Sequence, residues 1–438
     1  MNSGAEFRYY WIENNQQSRV PDGWESVSDG DFQEVRGRTE SIAEPGDKVQ
    51  LWAQDLVRIA RAVYVADRKA LRRGGDDGWT RNLCLSVPLS EADPWSDRTV
   101  TGLLRDLLAT LTGDRWDVVF RSGARAYPSQ TRLTDNWQAA DVALLSGGLD
   151  STSFAADLAM RMGADVLFVM FYDPKMKQPQ QHVLHEIHAL SRRPIHRRQI
   201  SQTVLGSGSP LEPSSRSRGL LYMAAAVYAA AAHGARTVLV PENGQLAINL
   251  PLTASRAAAC STRSVHPHTL SLFNDLILRI GGEISVMNPL VGCTKGEVCL
   301  RGRDAGLSAG VLYSTVSCSH PPVKRRGRAP YHCGYCYPCL VRRAGLLRAL
   351  HDDRTQYQYN PWNMTYKDAR TEDLRALQYW LCRPLAVQDL IADLPLPGNV
   401  LPASLIPVQG RAQQELSAML DAMIPANSAF RRNWAPIP

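Results

Sequence analysis

Strands and helices alternating around one glycine-rich junction predict an α/β protein built on a doubly wound parallel sheet, and three observations carry that expectation. From residue 141 onward, short apolar runs at 142–145, 165–172, 194–200 and 237–240 alternate with helical stretches at 152–163, 180–191 and 220–233. Apolar runs this short suit parallel strands buried on both faces, and such sheets take ligands beyond the carboxyl ends of their strands. The hexapeptide Ser146-Gly147-Gly148-Leu149-Asp150-Ser151 falls where the first of these strands turns into the first helix. Near the end of the same segment, Cys318, Cys333, Cys336 and Cys339 form a tight cluster.

The chain has 438 residues, enough for two or three domains, and 44% hydrophobic with 21% charged residues is ordinary for a soluble globular protein. A formal charge of +7 suits an anionic substrate, an acidic partner or nucleic acid, and also a solvated surface, without choosing among them. Residues 1–17 carry no apolar signal region, and the longest apolar stretch, 220–232, is too short to span a bilayer. A cytoplasmic, membrane-free protein is expected. Nine cysteines, an odd number, then favour a metal site over a disulfide framework.

Residues 1–140 read as an α+β unit that serves as a substrate or partner platform. Residues 56–64 alternate with charge as a half-buried strand, 82–87 and 116–120 read as strands, and 101–111 has helical spacing. Arg72-Arg73-Gly74-Gly75-Asp76-Asp77-Gly78 is a loop. Residues 141–350 form the sheet domain, and 351–438 are helical with breaks such as Leu394-Pro395-Leu396-Pro397-Gly398, a docked extension.

The hexapeptide is the chemical centre. Two glycines let the backbone bend closely around an anion, and the free N–H groups of the helix start favour negative charge. Ser146 and Ser151 add hydroxyls, and Asp150, an acid beside phosphates, makes sense as a holder of Mg²⁺. The plain alternative is a Gly-Gly turn with an Asp or Ser helix cap. No Lys follows the glycines and no third glycine is present, so neither a Walker A loop nor a dinucleotide fingerprint fits. Cys-x14-Cys-x2-Cys-x2-Cys suits a tetrahedral Zn²⁺ shell, with a [4Fe–4S] cluster or redox thiols as competitors. Cys84, Cys260, Cys293, Cys299 and Cys382 have no partner spacing and read as small core residues.

The hexapeptide resembles the PP-loop of the adenylating ATP pyrophosphatases, an adenine nucleotide alpha hydrolase-like fold. Together with the cysteine pattern it resembles the QueC, or 7-cyano-7-deazaguanine synthase, family over about residues 141–350. Leu340-Val341-Arg342-Arg343 and Asn288-Pro289-Leu290 with Lys295-Gly296-Glu297 also fit. The resemblance implies ATP binding by Ser146, Gly147, Gly148, Leu149, Asp150, Ser151, Arg216 and Arg218. It implies catalytic roles for Asp150, Ser151 and Lys295, structural Zn²⁺, Mg²⁺ with ATP, and release of AMP and pyrophosphate by a C–N ligase.

This chain is about twice the length of housekeeping QueC proteins and lacks their Tyr-Pro-Asp-Cys-Arg type segment. In its place stand Glu242, Asn243 and Gly244, then Arg256, and then Ser261-Thr262-Arg263-Ser264-Val265-His266-Pro267. Glu242, Asn243, Arg263 and His266 are the expected substrate-side residues. That pattern looks like the QueC-like proteins of antiphage defence islands, QatC of the Qat system and the QueC-like component of type IV CBASS. There the resemblance implies that a 7-deazaguanine carboxylate is joined to the N-terminal amine of a partner protein from the same operon. Free nitrile synthesis with ammonia, sulfur transfer to tRNA and a scaffolding pseudo-enzyme are the competing functions; nucleic acid is not the expected substrate. The basic run Lys324-Arg325-Arg326-Gly327-Arg328 is a solvated loop, or holds an acidic partner or phosphates.

Overall fold

The computed structural model describes residues 6–13, 19–33, 49–75, 77–127, 137–161, 165–174, 176–191, 193–206, 208–253, 263–321 and 331–432. The run 324–328, together with Gly163, Arg256, Cys260, Ser261 and Thr262, lies outside them. Two sheets carry the fold, and every strand pair in both is parallel.

The first sheet has the order β2-β1-β3-β4, from β1 (Glu6–Ile12), β2 (Glu25–Ser28), β3 (Asn82–Leu89) and β4 (Arg115–Ser122). Helix α1 (Leu51–Lys69) links β2 to β3; α2 (Ala92–Ser96) and α3 (Arg98–Thr112) link β3 to β4. Parallel strands joined by crossover helices replace the α+β arrangement expected here. The strand expected at residues 56–64 is instead the middle of α1. Its alternating charges misled because the helix is buried almost all round, and each arginine finds its own acid. Arg58 pairs with Asp55 at 2.5 Å and Glu13 at 2.8 Å, and Arg61 with Asp29 at 2.5 Å.

The second sheet has the order β7-β6-β5-β8-β9. Its strands and helices follow the expected alternation: β5 (Asp141–Leu144), α4 (Leu149–Met160), β6 (Val166–Tyr172), α5 (Lys177–Leu190), β7 (His196–Ser201), α6 (Arg218–His233), β8 (Thr237–Leu239), α7 (Gly244–Ile248), α8 (Pro267–Arg279) and β9 (Ser285–Met287). Three residues long, β9 shows no apolar run in the sequence. The buried residues of β6 divide by parity: Leu167, Val169 and Phe171 join the core around α6 and α8, and Phe168 and Met170 the core under α4 and α5. That is the signature of a sheet covered on both faces. The first of these cores continues through α1 and α3 into the first sheet, so one apolar mass spans two helix layers.

Helices α9 (Lys295–Asp304), α10 (Ala309–Ser314) and α11 (Tyr337–Leu350) complete the sheet domain. The remaining residues form α12 (Glu372–Leu381), α13 (Val387–Leu390), α14 (Pro402–Met423) and α15 (Ala429–Arg432), which bury apolar side chains against α7 and α11. No helix among the described residues is long and apolar enough to cross a membrane.

Candidate active site

In the second sheet the order reverses at β5, whose neighbours β6 and β8 leave in opposite directions. The carboxyl ends of β5 and β8 therefore flank the crevice where doubly wound sheets bind ligands. The hexapeptide follows β5, and Glu242 and Asn243 follow β8. Gly147 takes φ +81°, a left-handed conformation that a side chain would strain, and Gln180 packs against it. The Ser146 and Ser151 hydroxyls lie 3.0 Å apart, the Gly148 N–H donates to Ser146 Oγ at 3.2 Å, and the Leu149 N–H donates to Ser317 Oγ at 3.3 Å. The loop is thus preformed at the start of α4, with Ser146 exposed.

Asp150 points into the crevice and is buried. Its Oδ2 accepts from Lys295 Nζ at 2.7 Å, Asn243 Nδ2 at 2.8 Å and the Asn243 N–H at 3.2 Å. Its Oδ1 has no hydrogen-bond partner among the described residues. Asn243 Nδ2 also donates to Glu242 Oε1 at 2.9 Å, so one amide joins two carboxyl groups. Burial pushes Asp150 up, but the Lys295 charge together with hydrogen bonds from Glu242, Lys295 and Asn243 outweighs it and holds the carboxyl below its ordinary value. Lys295 is raised in turn, because Asp150 and Glu242 outweigh its own burial. Burial and then the Asp150 charge push Glu242 well above the usual carboxylate range. An unpartnered buried oxygen beside a second carboxyl group is a donor set suited to a hard divalent cation such as Mg²⁺.

Asn288, from the Asn288-Pro289-Leu290 stretch, and three residues without a sequence signal, Gly345, Gln409 and Glu415, support this cluster. Asn288 grips Glu242 through its backbone, accepting from the N–H at 3.2 Å and donating to the carbonyl at 2.7 Å. Gly345 of α11 gives room to Lys295, since a Cβ there would stand 2.5 Å from Lys295 Cγ. Glu415 of α14 accepts from Thr294 Oγ1 at 2.5 Å and from the Gly296 N–H at 3.0 Å, on either side of Lys295. Gln409 of the same helix donates to the Gly244 carbonyl at 3.1 Å, next to Asn243. Glu415 and Gln409 act across more than a hundred residues of sequence, beyond any local pattern.

The remaining expected site residues have other engagements. Arg216 donates to the Thr112 carbonyl at 2.6 Å and stacks over Trp79, tying the approach to α6 to the first segment. Arg218 is exposed beside Tyr222 at the start of α6. Arg263 forms a fork with Asp393 at 2.6 and 2.9 Å, and its Nη1 donates to the Thr110 carbonyl. His266 caps α8 by accepting from the His268 N–H at 3.1 Å, and burial lowers it to about 4. Arg342 and Arg343 are structural: Arg342 binds Thr315 Oγ1 and two carbonyls, and Arg343 stacks 3.5 Å over Tyr357.

The sulfurs of Cys318, Cys333, Cys336 and Cys339 lie within 4.8 Å of one another, with Cys318–Cys336 and Cys333–Cys339 both at 3.9 Å. A tetrahedron of Zn–S bonds of about 2.3 Å has edges of about 3.8 Å. The four cysteines are therefore positioned to hold one metal ion, consistent with structural zinc, and a four-iron cube would hold its cysteines farther apart. Contacts within the group, those of Cys318 first, lower Cys333 and Cys336, while the same kind of contact raises Cys318 and Cys339. Zinc here would pin α11 to the segment carrying Ser317.

Part of this chain is similar to known enzymes. A 7-cyano-7-deazaguanine synthase of Syntrophobacter fumaroxidans is 39% identical over 75 residues, 17% of this chain and 29% of that protein. Synthases of Cupriavidus taiwanensis and Ralstonia nicotianae are 42% and 40% identical over 79 residues, in each case 18% of this chain and 31% of theirs. The chain thus spans about three tenths of the length of the curated relatives it matches. No family model matches it. The partial likeness supports a QueC-like relationship.

Proposed function

We propose that this chain is an ATP-dependent C–N ligase that adenylates a 7-deazaguanine carboxylate and passes the acyl group to an amine. The observation carrying the reading is the Asp150–Asn243–Glu242–Lys295 cluster at the sheet's switch point, beside a preformed anion loop. The Ser146–Ser151 loop would receive the β- and γ-phosphates, and Arg218 would meet the nucleotide from the start of α6. Asp150 and Glu242 would hold Mg²⁺, which supplies charge neutralisation to the phosphates. A carboxylate oxygen attacks the α-phosphorus, the bond to pyrophosphate breaks, and Lys295 stabilises the departing charge. The amine then attacks the acyl carbon, AMP leaves with its bonding pair, and the nitrogen loses a proton.

The acceptor in this reading is the N-terminal amine of a partner protein in an antiphage defence system, since an α-amine with a pKa of about 8 is nucleophilic at neutral pH. The length of the chain and the residues following β8, which depart from the free-base synthases, support it. Arg263 and His266 belong to it as walls of the substrate side, held by Asp393 and by the α8 cap. The names of the partial relatives favour a second reading, nitrile synthesis from ammonia. Mass spectrometry of the co-expressed operon partner separates the two. Conjugation predicts a partner N-terminus heavier by the deazaguanine acyl group; an unmodified terminus with nitrile released from ammonia overturns it.

A further inference from the structure

Gln180 is almost fully buried, 4% exposed, and is placed with unusual definition. Its Nε2 donates to the Ser146 carbonyl at 3.2 Å and to the Phe171 carbonyl at 3.1 Å. Both partners are acceptors only, so the amide cannot be turned over, and Oε1 is fixed as the acceptor on the other side. That oxygen is buried and has no partner among the described residues. A buried acceptor without a donor costs about 1–3 kcal/mol, so its persistence points to a ligand.

Gln180 lines a cavity of about 190 Å³ with Tyr172 at the carboxyl end of β6, with Lys177, Gln181 and Leu184 of α5, and with Arg197 and Gln199 of β7. Whole-ligand pockets run to about 300–1,000 Å³, so this one holds a part of a molecule. Its lining is mostly amides and cations, which suits hydroxyl groups, each both donor and acceptor, better than the flat apolar face of a base. The same Gln180 packs on Gly147 of the anion loop. On the other side of that loop, the β8 side is occupied by the acids and Lys295. A nucleotide whose phosphates rest on the loop would therefore run its sugar toward β6.

We infer that Gln180 is a specificity-determining residue that accepts a hydrogen bond from a ribose hydroxyl of the nucleotide, in a sugar subsite lined by Lys177, Arg197 and Gln199. The inference rests on the ATP-using reading above. Its test is equilibrium binding of Mg-ATP, 2′-deoxy-ATP and 3′-deoxy-ATP to the full chain and to Gln180→Leu. The wild type is expected to bind one deoxynucleotide roughly tenfold more weakly than ATP. In Gln180→Leu that ratio falls toward one, whatever the common loss from the released Ser146 carbonyl. Equal binding of all three by the wild type, or a ratio that survives in the variant, overturns the subsite and leaves ATP use standing; the first would mean that Oε1 is satisfied by water alone. No binding of ATP at all overturns the ATP-using reading itself. If Gln180→Leu does not fold, the wild-type ratio decides the subsite, and Gln199→Leu tests its lining.

Discussion

At the scale of single residues, Lys295 and Asp150 set the terms. Lys295→Met leaves an ionised, buried carboxylate without its cation, an expected loss of about 3–5 kcal/mol in urea unfolding. The pH dependence follows from the two shifts. Asp150 is lowered, so its contribution is present above about 3.8 and is lost as pH falls through its lower folded value. Lys295 is raised, so its contribution is present below about 10.5 and is lost as pH rises through its higher folded value. The pair is therefore fully effective across the neutral range, and the wild-type advantage over Lys295→Met should vanish in strong acid. Glu242 behaves oppositely: raised in the folded state, it must shed a proton to hold a cation. Magnesium-dependent ATP binding should strengthen as pH rises, measured by titration calorimetry, and Glu242→Gln should bind weakly with that pH dependence removed. The strand-to-helix position of the six-residue loop was legible in the sequence because its glycines and hydroxyls stand together in one short stretch. Asn243 was legible only as a substrate residue; its place beside Asp150 depends on β8 lying next to β5.

At the scale of elements, the helix Pro402–Met423 reaches both flanks of the cluster, through Gln409 at Gly244 and Glu415 at Thr294 and Gly296. The sequence reads it as part of a docked extension, and it packs against the candidate site. Glu415→Ala leaves a buried hydroxyl and an N–H unpaired, with an expected cost of about 1–3 kcal/mol and a lower kcat at little changed KM for ATP. Gly345→Ala would drive a Cβ to 2.5 Å from Lys295 Cγ, and overpacking of this kind costs about 1–3 kcal/mol in thermal unfolding. Neither residue announces itself, because a Glu or a Gly within a helix is ordinary until the fold brings Lys295 to it. Four strands of the second sheet were legible because their short apolar runs alternate with helical stretches; β9, three residues long, was not. Nor was helix α1: its helical apolar period shows over the whole of Leu51–Lys69, and the nine residues 56–64 read alone were too short a window to separate that period from alternation.

At the scale of the whole molecule, the first segment and the second sheet share more than an apolar core. Asp67, Arg72, Arg81 and Asp114 form a buried ion network, with Arg72 on Asp114 at 2.8 Å and Arg81 on both acids at 2.5 Å. Asp67 also accepts from the Ser217 hydroxyl at 2.6 Å, and Glu212 accepts from the Arg72 N–H at 3.0 Å, so the network holds the approach to Arg218. Residues 1–140 and 141–350 should therefore unfold in one calorimetric transition, and Asp114→Ala should lower that transition without splitting it. Two transitions in the wild type would make the first segment an independent platform instead. The central claim is that a carboxylate attacks the α-phosphate of ATP at the Asp150 cluster. The direct measurement is turnover of a 7-deazaguanine acid labelled with ¹⁸O in its carboxylate, with mass analysis of the nucleotide formed. The account predicts AMP carrying one ¹⁸O, abolished in Asp150→Asn; unlabelled AMP, or ADP with phosphate, would contradict it.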